Sequence, residues 1–103
     1  MNTNQTPKSL ADSFAALPES VRANCPARPG LPGAPAPSAE SIRDWIVGIR
    51  AAVLDAAANT ANFGIIVAGE GDVAAAVDLK REAGELLALA SDFGDLLGLP
   101  RVA

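Results

Sequence analysis

Two apolar ladders constrain the fold of this chain more than any other feature. The first ladder rises in alternating steps of four and three residues and comprises Ile42, Ile46, Ile49, Val53, Ala56, Thr60, Phe63 and Val67. The second has matching spacing and comprises Ala76, Leu79, Ala83, Leu86, Ala90, Phe93 and Leu97. This spacing is typical of a seam between packed helices. The segment between them, residues 69–72, is long enough only for a sharp reversal, so the sequence predicts an antiparallel helical hairpin.

The hairpin is predicted to occupy residues 38–99, with helices over about 38–68 and 72–97. Ser38 and Asp72 are residue types that cap a helix N-terminus, and Gly69 is predicted to stop the first helix. Gly98, followed by Leu99 and Pro100, is typical of a helix C-terminus. Residues 100–103 are then a short C-terminal tail.

Two glycines lie inside the first predicted helix, Gly48 and Gly64. Each costs about 1 kcal/mol of helix propensity relative to alanine. Such glycines are explained if another backbone packs closely against the helix. Near Gly64 a break in the helix is a second explanation. The sequence leaves both explanations open.

Residues 1–17 are predicted to form a tail and a short docking helix. Thr6 and Pro7 favour a helix start, and Leu10, Phe14 and Leu17 then form one apolar stripe that ends before Pro18. So short a helix is unstable alone in water and must dock, either on its own hairpin or on another chain.

Residues 18–37 are predicted to be a Pro/Gly-rich arm or linker. Its regularly placed prolines are Pro26, Pro29, Pro32, Pro35 and Pro37. Proline lacks the backbone N–H and has a fixed φ, which disfavours helix and sheet and predicts an extended, polyproline-like segment. Such a segment is either a spacer or an arm that lies along a neighbouring surface.

The composition predicts a thin core. Half of the 103 residues are apolar, but only 4% are aromatic. A small hairpin rich in alanine buries little area and is marginal by itself. We therefore predict an all-α fold, a helical hairpin with a short N-terminal helix and a Pro-rich arm, completed by oligomer or partner packing.

Large apolar side chains beyond the two ladders are candidates for that packing. Trp45 is either a core residue or an interface anchor, a role in which tryptophan is enriched. The predicted protein-interface residues are Leu10, Phe14, Leu17, Trp45, Leu87, Leu89 and Leu96.

The charge distribution disfavours nucleic acid as a partner. The net charge is −4, and residues 38–103 carry ten of the twelve acidic side chains. An acidic helical body is repelled by a phosphate backbone.

A membrane location is also disfavoured. Residues 45–69 are the most apolar stretch, but they contain Arg50 and Asp55, each costing roughly 2.5–3.5 kcal/mol near the centre of a span. This stretch is interpreted as a buried helix of a soluble protein. The first 30 residues lack the apolar core of a secretory signal, so a cytoplasmic site of synthesis is expected.

The sequence offers no set of catalytic, cofactor-binding or metal-binding residues. It has no histidine, and Cys25 is its only cysteine, which excludes an internal disulfide and a plausible zinc ligand set. Asp44 and Asp55 are too far apart along a helix to form an acid–base pair. Gly69 and Gly71 lack the third glycine and the preceding strand of a dinucleotide-binding loop. We expect a protein that is not an enzyme.

Two functional hypotheses follow. The first is a structural or assembly protein whose hairpin packs on copies of itself or on a larger complex, such as a virus particle, while the arm binds a neighbour. The alternative is a soluble inhibitor or adaptor that binds one target protein through the hairpin.

Overall fold

The computed structural model describes residues 9–30 and 36–99. These ranges contain four helices and no strand: α1 (Leu10–Ala15), α2 (Glu19–Arg22), α3 (Ala39–Gly69) and α4 (Val73–Leu96). The two long helices, α3 and α4, pack against each other along the hairpin. The predicted all-helical hairpin is confirmed.

Helix α3 is continuous through Gly64, so the break that the sequence left open does not occur. Gly64 is buried, and a Cβ atom at this position would lie 3.4 Å from the Cβ of Leu79 and 3.7 Å from the carbonyl oxygen of Ala76. These are ordinary van der Waals distances, so α4 packs directly against α3 at Gly64.

Helix α3 ends at Gly69, one residue later than predicted, and the glycine that stops it is Gly71 rather than Gly69. Gly69 is still helical, and Gly71 instead adopts the left-handed conformation, with φ of 91°. The backbone N–H of Asp72 donates to the carbonyl of Val67 at 3.0 Å, the bond that closes a Schellman motif. Asp72 then caps α4 as predicted, because its carboxylate accepts a hydrogen bond from the N–H of Ala75 at 3.1 Å.

The C-terminus of α4 has the predicted stop. Gly98 has a φ of 74°, and the N–H of Leu99 donates to the carbonyl of Gly94 at 2.9 Å. Arg43 of α3 also donates from Nη1 to the carbonyl oxygen of Leu97 at 3.2 Å. A cation at a helix C-terminus is favourable. The bond also ties α3 to α4 at the end of the hairpin opposite the turn, which we call the open end.

The hydrophobic core lies towards that open end. Its most deeply buried large side chains are Ile49, Val53 and Phe93, each at 0% exposure. The other buried members of the cluster are Leu17, Val21, Trp45, Ile46, Ala57, Leu86, Ala90 and Leu97. Here the predicted ladders match the observed seam.

The predicted seam is wrong at Phe63, which is 54% exposed. Beyond Val53 the buried positions of α3 are Ala57 and Gly64. A straight helix has 3.6 residues per turn and drifts about 20° per heptad from a strict heptad seam. The contact therefore moves off the extrapolated ladder as it approaches the turn.

The N-terminal helix docks on its own hairpin. Ser9 is its N-cap, and the Ser9 hydroxyl accepts from the N–H of Asp12 at 3.1 Å. Leu17 is buried in the core, and Leu10 and Phe14 pack against it. Thr6 and Pro7, the predicted start of this helix, lie outside the described residues.

The arm prediction is wrong over its first residues, because α2 lies within the segment predicted to exclude helix. Pro18 is the N-cap of α2, a position where its missing N–H costs nothing. Val21 of α2 is buried in the core. Pro32 and Pro35 lie outside the described residues.

The segment after α2 rests on α3. Pro26 stands directly over Gly48, where an added Cβ would lie only 2.6 Å from the Cγ of Pro26. The indole Nε1 of Trp45 donates to the carbonyl oxygen of Pro26 at 3.0 Å. Gly48 is thus explained by close approach of the arm.

Replacing Ser13 with alanine should stabilise the protein by about 1 kcal/mol. Ser13 is fully buried, and its hydroxyl has no hydrogen-bond partner among the described residues. An unsatisfied buried hydroxyl costs about 1–3 kcal/mol, and alanine is the better helix former. Urea unfolding should show a higher midpoint for Ser13→Ala and little change for the exposed control Ser20→Ala. A lower midpoint for Ser13→Ala contradicts this prediction.

Candidate protein-binding surface at the hairpin tip

The end of the hairpin near the turn exposes large apolar side chains. Five of them, each more than half exposed, define what we call the tip: Phe63, Ile65, Ile66, Val73 and Val77. Exposed apolar side chains concentrated at one end of a protein are candidates for a protein-binding surface. The tip is therefore the candidate site.

The packing of α3 on α4 explains why these side chains face outwards. Between Ala57 and the turn the buried residue of α3 is Gly64, and the first buried residue of α4 is Ala83. Because these buried residues are a glycine and an alanine, no large side chain of the described residues is buried between α3 and α4 at the tip. Phe63 and Ile65, the sequence neighbours of Gly64, therefore lie to either side of the α3–α4 contact and are exposed.

One flank of the tip forms an apolar cleft with a volume of about 320 Å³. Its floor is made by small residues from both helices: Ala61, Gly64, Ala68, Ala76 and Ala83. Ile65 and Lys80 line its sides. Val73 and Val77 precede Ala76 and Lys80 by three residues, which places them on the adjoining face of α4.

The charges at the tip are separated. Glu70 and Asp72 form an acidic turn, and of the residues that the structure describes, Lys80 is the only charged one that lines the cleft. Arg81, the next residue after Lys80, instead pairs with Asp78 at 3.2 Å on the exposed side of α4. Within residues 9–30 and 36–99, neither Glu70 nor Lys80 forms an ion pair.

The structure places most of the predicted interface residues inside the monomer. Leu17 and Trp45 are buried in the core, and the partly buried side chains packed against that core include Leu10, Phe14, Leu89 and Leu96. Leu87 is 51% exposed. Leu87 thus remains accessible, and the structure does not bring it together with the tip residues.

Trp45 organises the opposite end of the hairpin. Its ring lies 5.6 Å from that of Phe14, centroid to centroid, and the guanidinium of Arg28 lies 5.7 Å from its centroid. Cys25 is partly buried there, and its thiol donates to the carbonyl of Val21 at 3.3 Å. Burial raises the pKa of the Cys25 thiol and reduces its thiolate fraction near neutral pH.

The described residues also bear on metal binding and membrane insertion. Among residues 9–30 and 36–99, no three Cys, Asp or Glu side chains cluster as a metal site would require. Helix α3 is long and apolar enough to cross a membrane, with a mean hydropathy of 1.4 in its most apolar window. Only 22% of that window is buried, less than the sequence interpretation as a buried helix implies.

Comparison with known proteins adds no relative: no protein-family model, curated protein or solved structure matches the chain.

The tip was not among the predicted interface residues, although the sequence contains its signals. Ile65 and Ile66 form an apolar pair directly after Gly64, and small residues recur on both sides of the turn. A close helix crossing followed by bulky neighbours indicates that those neighbours lie outside the crossing.

Proposed function

We propose that this protein is a non-catalytic assembly protein that packs its hairpin, through the tip, on copies of itself or on a larger complex. The observation that supports this proposal is the exposure of Phe63, Ile65, Ile66, Val73 and Val77 at one end of the molecule. Burying such side chains on association contributes about 25 cal/mol per Å² of apolar area.

The distribution of the core supports the choice of the tip. The open end of the hairpin is covered by α1, α2 and the segment that contains Pro26, so its large side chains already have partners. The tip has no such cover among the described residues. A protein partner is therefore expected at the tip.

The acidic turn favours protein over membrane as that partner. If the tip entered a bilayer, the turn with Glu70 and Asp72 would be the first part to reach the membrane surface. Cytoplasmic membrane surfaces are negatively charged. Both charges would be repelled there, whereas a protein surface can present a cation to them.

Replacing Ile65 and Ile66 together with glutamine should abolish association, because the change removes two exposed apolar side chains while keeping helix propensity. Light scattering should give the wild-type protein a mass above that of the monomer and give Ile65→Gln/Ile66→Gln the monomer mass. The control is Val47→Gln, which changes an apolar residue of α3 that is 50% exposed and lies outside the tip.

The test separates the proposed function from its rivals. A wild-type monomer that forms a one-to-one complex with a single target, lost in the tip variant, indicates the adaptor alternative. Flotation of the wild-type protein with liposomes indicates membrane binding. Identical monomeric behaviour of wild type and tip variant, both purified and in extracts of the source cells, contradicts an assembly role.

A further inference from the structure

We infer that the partner at the tip is a second copy of this chain, bound antiparallel, so that the two hairpin ends overlap as a four-helix bundle. This inference rests on the proposed function and names the partner for the same surface. Two features of the tip carry it: its shape and the positions of its charges.

The cleft flank of the tip is self-complementary. A two-fold interface uses the same surface on both chains, so that surface must carry both projections and depressions. Ile65, which is 71% exposed, lines the cleft together with alanine and glycine. Val77, which is 60% exposed, lies on the adjoining face of α4, three residues before Lys80. In a two-fold pair, the projecting side chains of each copy can enter the shallow floor of the other.

The charges select the antiparallel orientation. With the two-fold axis near Ile65 and Val77, Asp72 lies five residues before Val77, about 7.5 Å along α4 at 1.5 Å per residue. Lys80 lies three residues after Val77, about 4.5 Å along the helix, and its side chain extends further. The acidic turn of each copy therefore comes within reach of Lys80 on the other.

A parallel pairing lacks this match. It sets turn against turn, which places Glu70 and Asp72 opposite their own copies and sets the two Lys80 side chains side by side. Like charges in opposition are destabilising. In the antiparallel arrangement, Glu70 of each copy instead faces Lys80 of the other copy, which carries the opposite charge.

The experiment is a charge exchange across the proposed interface. Glu70→Lys alone and Lys80→Glu alone each convert two attractive pairs into two repulsive ones. Sedimentation equilibrium should show dimer affinity about tenfold weaker for either variant than for wild type, since exposed ion pairs are individually weak. An equimolar mixture of the two variants should recover the wild-type affinity as a heterodimer, because each mixed pair again joins a cation to an anion.

Both substitutions should leave the monomer folded. Residue 70 is the C-cap of α3, where a cation is favourable, and Lys80 is exposed on α4 without an ion pair in the described residues. Circular dichroism should give all three proteins equal helicity.

A pair of adjacent isoleucines provides the matched apolar control. Ile65 lines the cleft and Ile66 does not, although both are more than half exposed. Ile65→Ala should weaken the dimer at least tenfold, and Ile66→Ala should change its affinity less than twofold. Equal effects of the two substitutions overturn the assignment of the cleft flank as the interface.

The remaining outcomes separate this inference from the proposed function. An oligomer in which mixing Glu70→Lys with Lys80→Glu restores nothing overturns the antiparallel pairing, and an assembly role survives. A wild-type monomer at all accessible concentrations overturns the second copy as partner. In that case the assembly role is still supported if the wild-type chain binds a larger complex and Ile65→Gln/Ile66→Gln does not.

Discussion

Replacing Phe93 with alanine should remove about 3–5 kcal/mol of stability, the usual cost of deleting a fully buried phenylalanine. Phe93 is at 0% exposure in a core that also contains Ile49 and Val53. The free energy of unfolding of a domain is roughly 5–15 kcal/mol, and a domain with a small, thin core is expected near the lower end of that range. The midpoint of thermal unfolding should fall by about 12 °C or more.

The matched control is Phe63→Ala, which deletes the same atoms from an exposed position. Phe63 is 54% exposed on α3, so its loss should cost less than about 1 kcal/mol. Thermal melts followed by circular dichroism, at concentrations where the chain is monomeric, measure both changes. Equal losses at the two positions contradict the observed seam and favour the heptad seam, which includes Phe63.

This pair of phenylalanines shows how far the sequence pattern extends. Heptad spacing correctly predicted Ile49, Val53 and Phe93 because, over two or three turns, repeats of 3.5 and 3.6 residues are indistinguishable. Over the length of α3 the difference accumulates, and Phe63 leaves the seam. Local signals were more dependable: Ser38 and Asp72 cap their helices as predicted because capping depends on a few neighbouring atoms.

The candidate site was harder to predict than the fold. Leu17 and Trp45 were predicted interface residues for which packing within the chain was the open alternative. Their partners come from distant parts of the chain, such as Pro26, 19 residues before Trp45. Whether an apolar residue is core or surface depends on that long-range packing. Ile65 and Ile66 are surface residues because α3 turns the face that contains Gly64 towards α4, which composition cannot show.

Gly48→Ala should destabilise the protein by about 1–3 kcal/mol, although alanine is the better helix former. The added Cβ would lie 2.6 Å from the Cγ of Pro26, and a proline ring cannot rotate away because it is closed onto the backbone. Overpacking of this kind costs about 1–3 kcal/mol. We expect Pro26 to be displaced from α3 and the hydrogen bond from Trp45 to be broken.

Gly84→Ala isolates this effect. Gly84 also lies in a long helix, but no atom of the described residues outside its own helix turn lies within 4 Å of an added Cβ. That substitution should stabilise the protein by about 0.5–1 kcal/mol through helix propensity alone. The difference between the two variants in urea unfolding therefore measures the contact with Pro26, free of the glycine effect that they share.

Trp45 reports the displacement directly, because it is the single tryptophan of the chain. Displacement of Pro26 and loss of its hydrogen bond to Trp45 expose the indole Nε1 to water, so the emission of Gly48→Ala should shift to longer wavelength before unfolding begins. If Gly48→Ala instead stabilises the protein as much as Gly84→Ala does, with unchanged emission, then Pro26 does not rest on α3. The segment would then be either a spacer or an arm that binds a neighbour, the two alternatives that the Pro-rich sequence leaves open.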